Sequence, residues 1–470
     1  MRSTTSLRRA LALSATAGML ALSGPALPAA AQQAEGDREF QPPPRNPAMQ
    51  APSAPLSPVG SKYKQQQACM QASNGGPTIE REPWSQRLLG FERAHRQGWT
   101  GQGQTIAVID TGVNQHQRLP GLTDGSSRVP GGALVDCDGH GTIVAGIIAA
   151  TPTAETGFLG IAPKSTILSV RQSSSVWQHQ QSGEPIGNTR TMAQAIKYAT
   201  DRGAGVINIS QASCQSMVRA SNPADQGNQK LYNAVRYAYE QGTVVVAAAG
   251  NTGGQCKQNP PGNPTTAVLP AWFDKYVLTV ASVNERGAPS DFTVPGPWVD
   301  VAAPGEDLIS LDPGRGATGL ANQVTHGSND QAQPIQGTSF AAPYVSGLAA
   351  LIQQKFEDLS VGEIMERIEK TAQHPGGTDG RNDIIGYGMI NPMAALNDVI
   401  PAENGPAAAP IEPRRLEAHV FPRENWAAIA VAFGGAVGGL GTVVFTAFLM
   451  NAIRKVRSRR AQAPASRLRL

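Results

Sequence analysis

Three residues of this chain stand where side-chain chemistry is easily arranged. Asp110 closes the apolar run "TIAVIDTG" (105–112), His140 opens "HGTIVAGIIAA" (140–150), and Ser339 lies at the start of "GTSFAAPYVSGLAALIQ". A carboxylate ending a buried strand is costly to desolvate unless something pairs with it. A serine at a helix start meets free N–H groups and the positive end of the helix dipole, which favour a developing oxyanion. Pro343 is expected in the first turn of that helix, where its missing N–H costs little. Each residue alone has an ordinary reading: a turn aspartate, one of seven histidines, a helix cap. Together, in the order Asp, His, Ser, they suit acyl transfer, with a hydroxyl nucleophile, an imidazole base and a carboxylate to orient it.

The stretch "VDCDGHGTIVAG" (135–146) also raises metal readings. Cys137 and His140 form a Cys-x-x-His pair, but zinc needs further ligands and no second pair of that spacing exists. "DCDG" starts like a calcium loop, yet Gly139 and His140 occupy positions where oxygen ligands should follow. No metal or cofactor is therefore expected. Asp136 and Asp138 keep no role beyond polar loop residues.

Strand-like and helix-like segments alternate around these motifs. "TIAVIDTG", "STILSVR" (165–171), "GVINIS" (205–210), "TVVVAAAGN" (243–251) and "YVLTVASV" (276–283) are short, β-branched and almost continuously apolar, as strands buried on both faces of a parallel sheet are. Helices are expected at 140–150, 189–203 and 229–242, the last closed by Gly242. A short helix is expected in "SQRLLGFERAHRQG" from Ser85. Such alternation predicts an α/β fold, a doubly wound parallel sheet with helices on both faces, whose ligands bind beyond the carboxyl ends of the strands.

The ends set the topology. Residues 1–31 carry Arg2, Arg8 and Arg9, then an apolar run, with Ala29 and Ala31 at the small positions of a cleavage site. They read as a signal peptide cleaved after Ala31, the alternative being an uncleaved anchor. Residues 32–84 form a proline-rich extension, 85–400 the catalytic domain, and 401–425 a Pro/Ala-rich linker. Trp426 to Met450 carries no charge and, at ~1.5 Å per residue, crosses a hydrocarbon core of about 30 Å. The basic tail 451–470 follows, with Arg454, Lys455, Arg457, Arg459 and Arg460 marking the cytoplasmic side. The expected protein is thus single-pass in the cell membrane, its body on the periplasmic or cell-wall side. A net charge of +4, with five of the basic residues crowded into Arg454 to Arg460, leaves no stripe for nucleic acid on the folded part.

An exported body permits disulfides. Cys69, Cys137, Cys214 and Cys256 allow three connectivities. If "GVINIS" and "AAAGN" end neighbouring strands, Cys214 and Cys256 lie within bonding reach. Cys69–Cys137 then follows by elimination, binding the extension to the loop before His140 as a belt. Free thiols are the alternative.

"AVIDTGV", "DGHGTIVAGII" and "GTSFAAPYVSGLAALI" resemble the signature blocks of subtilisin-like serine proteases, and "AAAGN" resembles their block ending in an oxyanion asparagine. The likeness spans about Trp99 to Leu396. It implies that Ser339 attacks the scissile carbonyl, His140 takes its proton, and Asp110 orients the imidazole. Asn251 and the Ser339 N–H would then hold the oxyanion. It implies further that Ser210, Gln211 and Ala212 flank an extended segment of a protein substrate. Relatives usually carry "SLGG"-like residues there, from which Gln211 and Ala212 depart, and Ile143 stands where many have a second histidine. The whole layout resembles the mycosins, membrane-anchored proteases of type VII secretion systems. That implies a secretion membrane complex as partner, with two roles open: selective endopeptidase, or assembly component in which proteolysis is secondary.

Overall fold

A computed structural model describes residues 40–72, 80–325, 332–376, 380–404 and 426–461. The expected signal peptide, nearly all of the Pro/Ala linker and the end of the tail lie outside the described residues. The chain divides into a unit ending at Glu403 and a second starting at Asn404.

Seven parallel strands build the core of the first unit: β1 (Thr105–Asp110), β2 (Leu122–Ser127), β3 (Thr166–Arg171), β4 (Val206–Ile209), β5 (Val244–Ala248), β6 (Leu278–Val283) and β7 (Val301–Pro304). Their order across the sheet is β7-β6-β5-β4-β1-β3-β2. β1 is therefore an inner strand, between β4 and β3, with Asp110 opposite Arg171 of β3 at its carboxyl end. The five expected strands are β1, β3, β4, β5 and β6. β2 escapes a hydrophobic pattern because it is an edge strand, "LTDGSS", exposed along part of its length and broken by a register shift between Asp124 and Ser127. β7 is four residues, "VAAP", too short to show a period.

Two helix pairs pack on the sheet. α1 (His140–Ala149) packs with α4 (Thr338–Lys355), and α2 (Thr189–Asp201) with α3 (Gln226–Glu240). α2 and α3 are amphipathic surface helices capped by Asn188 and Asp225. α1 and α4 are different. Every residue from Gly141 to Ala149 and from Thr338 to Ile352 is buried, so both are core helices. Close packing there depends on small residues: a Cβ at Gly141 would stand 2.1 Å from the Gly112 oxygen and 3.1 Å from the Asp110 Cβ. The short helix expected from Ser85 is two, Trp84–Leu89 and Glu92–Arg96, separated by Gly90 at φ 60°.

The extension runs over the first unit as a belt. The Trp272 indole donates to the Phe40 oxygen (2.5 Å), and Asn233 on α3 donates to the oxygens of Asn46 and Met49 (2.9 and 2.7 Å). Gln194 on α2 donates to the oxygens of Ala54 and Pro55. Tyr63–Gln65 pairs antiparallel with Ser174–His179, and the belt reaches the Cys69–Cys137 disulfide three residues before His140.

In the second unit one helix spans Trp426–Ala461. Its stretch Ile429–Arg457 is long and apolar enough to cross a membrane. The uncharged segment expected at 426–450 falls within this helix, which continues into the basic residues.

Candidate active site

The fold brings the three separated residues together at the carboxyl end of β1. Asp110 is fully buried, and its Oδ1 lies 2.8 Å from His140 Nδ1 while accepting the Thr111 N–H at 2.7 Å. His140, the first residue of α1, places Nε2 3.0 Å from Ser339 Oγ. Ser339 is the second residue of α4. The imidazole keeps 26% of its surface, and the Phe340 ring packs 4.8 Å from it. Burial disfavours the imidazolium, but the Asp110 charge and hydrogen bond, helped by Asp136 and Asp138, outweigh it, so the His140 pKa is raised. An imidazole so placed can take a hydroxyl proton while the carboxylate holds its tautomer.

Asn251 lies three residues beyond β5. Its Oδ1 accepts the Thr338 N–H and hydroxyl, both at 2.9 Å, which fixes the amide's orientation. A Cβ at Gly337 would stand 3.0 Å from Asn251 Nδ2 and 3.1 Å from Ser339 Oγ. Gly337 therefore keeps free the small space that both atoms face, at a φ of 146° that suits glycine.

Pro343 departs from its expected place. α4 begins at Thr338, so Pro343 lies inside the helix, in its second turn. Its absent N–H is the one that would bond the Ser339 oxygen, four residues back. Ser210 replaces that donor: its Oγ donates to the Ser339 oxygen at 2.6 Å and accepts from Asn208 Nδ2 at 2.8 Å. Asn208 Oδ1 in turn accepts from Ser346 Oγ of α4. Ser210 thus acts on Ser339 through its side chain, beyond the backbone role expected of it. Gln211 and Ala212 line a cleft of about 690 Å³ that also reaches His140. No described residue of the belt lines it.

Two carboxylates left without a role shape this site. Asp136 is buried and accepts from the Thr111 hydroxyl (2.8 Å), the Gly139 N–H (2.8 Å), and the Thr142 N–H and hydroxyl (2.8 and 2.7 Å). It caps α1 and ties it to the turn carrying Asp110. Burial pushes its pKa up to about 6, against the hydrogen bonds from Thr142 and Thr111. Asp138 accepts from Ser174 Oγ, the Ser175 N–H and hydroxyl, and the Val176 N–H, bracing a cleft wall. The available signal was a pair of acidic residues within four positions of a helix start, where N–H groups need acceptors.

The structure joins Cys69 to Cys137 and Cys214 to Cys256. β4 and β5 are indeed neighbours, which brings the second pair together. Among the described residues no group of His, Cys, Asp and Glu could hold a metal ion.

Residues 101–388 match the family model Peptidase_S8, "Subtilase family". The chain belongs to the subtilase family and is a serine protease of the subtilisin type. Within that family its relatives include mycosins. It is 44% identical over 357 residues to Mycosin-1 of Mycobacterium tuberculosis (strain ATCC 25618 / H37Rv), covering 71% of this chain and 77% of that protein. Mycosin-4 of the same organism is 43% identical over 416 residues, covering 81% and 87%. A solved serine protease, MycP1, described as an essential component of the type VII (ESX-1) secretion system, superposes with a TM-score of 0.67 at 37% identity. That match covers 76% of this chain and all of that one. A chain in an intact ESX-5 inner membrane complex gives 0.70 at 36% identity, over 87% of this chain and all of its own.

Proposed function

We propose that Asp110, His140 and Ser339 form the catalytic triad of an endopeptidase that cleaves extended segments of protein substrates. The observation carrying this reading is the continuous relay Asp110–His140–Ser339, at 2.8 and 3.0 Å. Ser339 Oγ attacks the scissile carbonyl as its proton passes to His140 Nε2, and Asp110 Oδ1 holds the Nδ1–H and stabilises the imidazolium. The tetrahedral oxyanion is held by Asn251 Nδ2 and the Ser339 N–H at the start of α4. His140 then gives the proton to the leaving amine, and a water repeats the cycle on the acyl-enzyme. The chain segment Ser210–Ala212 flanks the substrate as a strand would. Labelling with a fluorophosphonate tests the reading: the wild type takes label, Ser339→Ala takes none, and an unlabelled wild type overturns it.

The remaining assignments belong to the same proposal. Residues 1–31 direct export, 32–84 form the N-terminal extension that carries the belt, 85–400 the catalytic domain and 401–425 the linker. The span 426–450 anchors it, and the tail 451–470 stays cytoplasmic. The apolar helix and the basic cluster after it support this topology. A single cysteine placed in the tail of intact cells should resist a membrane-impermeant maleimide; ready modification would reverse the orientation.

The partner we assign is a type VII secretion membrane complex, supported by the likeness to the chain in the ESX-5 assembly. That likeness also favours a second reading, in which the protein supports the complex structurally. Secretion that persists with Ser339→Ala but fails on deletion of the protein would favour the structural role; loss in both would favour proteolysis.

A further inference from the structure

The lining of the cleft is nearly free of charge. Asp138 and His140 are its titratable members. Asp138 is already engaged by Ser174, Ser175 and Val176, and His140 by Asp110 and Ser339. A lysine or arginine of a substrate would therefore meet no free carboxylate there.

Within this cleft one polar pair stands out. Gln211 Nε2 donates to Ser173 Oγ, and both residues are half-buried. Their positions follow from the chain. Ser210 turns its side chain to the Ser339 oxygen of α4, whereas Gln211 turns its own to Ser173 in the cleft lining. The same cleft is lined by Met192 of α2, Leu231 of α3 and Ile186, and by the uncharged polar Gln172, Asn188 and Thr189. The pair thus lies in a cleft whose lining is uncharged and in part apolar. One N–H and the carbonyl oxygen of Gln211, and the hydroxyl proton of Ser173, remain available to a ligand. A substrate chain laid over them removes water from these groups. An apolar side chain would leave them unpaired, whereas one carrying both donor and acceptor satisfies them.

We propose that Gln211 and Ser173 form a selector that takes an uncharged hydrogen-bonding substrate side chain (Asn, Gln, Ser or Thr) at one position. The proposal rests on the cleft being the peptide-binding site. The test uses the detergent-solubilised full chain and peptides varied between Gln and Leu at each position in turn. One position should favour Gln by about tenfold in kcat/KM, and Gln211→Leu with Ser173→Ala should invert that preference there alone. Peptide binding to the Ser339→Ala protein, read by fluorescence anisotropy, gives the same comparison without turnover. A uniform profile overturns the proposal, as does a preference surviving in the double variant. Ser173→Ala raising the rate on every peptide equally would make the pair a barrier instead of a selector. Loss of fluorophosphonate labelling in the wild type would instead overturn the protease reading itself.

Discussion

Replacing Ser210 by alanine tests whether the structure correctly explains how the Ser339 backbone is held. Pro343 denies the Ser339 oxygen its helical donor, and Ser210 Oγ supplies the substitute at 2.6 Å. Ser210→Ala strands that oxygen and also Asn208 Nδ2, which gives its hydrogen bond to the same hydroxyl at 2.8 Å. Asn208 and Ser346 are fully buried and Ser210 nearly so. Each stranded group costs about 1–3 kcal/mol, so the variant should lose about 2 kcal/mol or more. Pro343→Ala restores an N–H in line with the Ser339 oxygen. In the Ser210→Ala background it should recover about 0.5–1.5 kcal/mol that it does not provide in the wild type. Urea unfolding of the detergent-solubilised chain, followed by fluorescence of the buried Trp272 and Trp298, measures all four corners of the cycle. Strict additivity of the two substitutions would refute the reasoning, as would a Ser210→Ala protein as stable as the wild type.

Further outcomes follow from the same geometry. Asn251→Leu should lower kcat on a peptide substrate by about 10²–10³ with a smaller change in KM; a loss below tenfold would remove Asn251 from the oxyanion site. Gly337→Ala, whose Cβ would intrude between Asn251 Nδ2 and Ser339 Oγ, should abolish turnover in a protein that still folds by circular dichroism. The raised pKa of His140 places the acid limb of the kcat/KM profile above the ordinary histidine value, since only the neutral imidazole is a base. Protonated His140 stabilises the fold, fully below its unfolded pKa and progressively less as pH rises through the folded one, so activity and this stabilisation change in opposite senses. Asp110→Asn should move the limb to lower pH and reduce kcat by about 10⁴. Cys69→Ser with Cys137→Ser opens a link spanning 68 residues and should cost about 2–5 kcal/mol. Peptidase activity should then change little; a sharp rise would make the extension an inhibitor.

Asp110, His140 and Ser339 were legible because their neighbours are local: an apolar strand ends at one and an apolar helix begins at each of the others. The same holds for the five inner strands, whose composition reports burial on both faces. What was not legible depends on partners far along the chain. Asp136 reads as a loop residue until Thr111 and Thr142 are placed around it. Pro343 reads as a helix-start proline until the helix is seen to begin at Thr338, and Ser210 lies 129 positions from the oxygen it serves. β2 was hidden because an edge strand need bury only part of its length.

These distant contacts share one direction. Asp136 ties the start of α1 to the turn after Asp110, while Ser210 ties the start of α4 to the end of β4. The Oδ1 of Asn251 ties that same start of α4 to the loop after β5. His140 and Ser339 are thus each fastened through a helix start to the end of a strand or the turn beyond it, where the sheet's hydrogen bonds leave little freedom. Helix starts carry unpaired N–H groups and must be capped by something. Asp136 and Asn251 accept such N–H groups at the two helix starts, and Ser210 serves the Ser339 carbonyl that Pro343 leaves without a donor, so together they fix the spacing of His140 and Ser339. Stability and geometry at this site therefore rest on the same bonds. A capping substitution that unfolds nothing should still lengthen the His140–Ser339 contact, and would be read as a fall in kcat without a matching rise in KM.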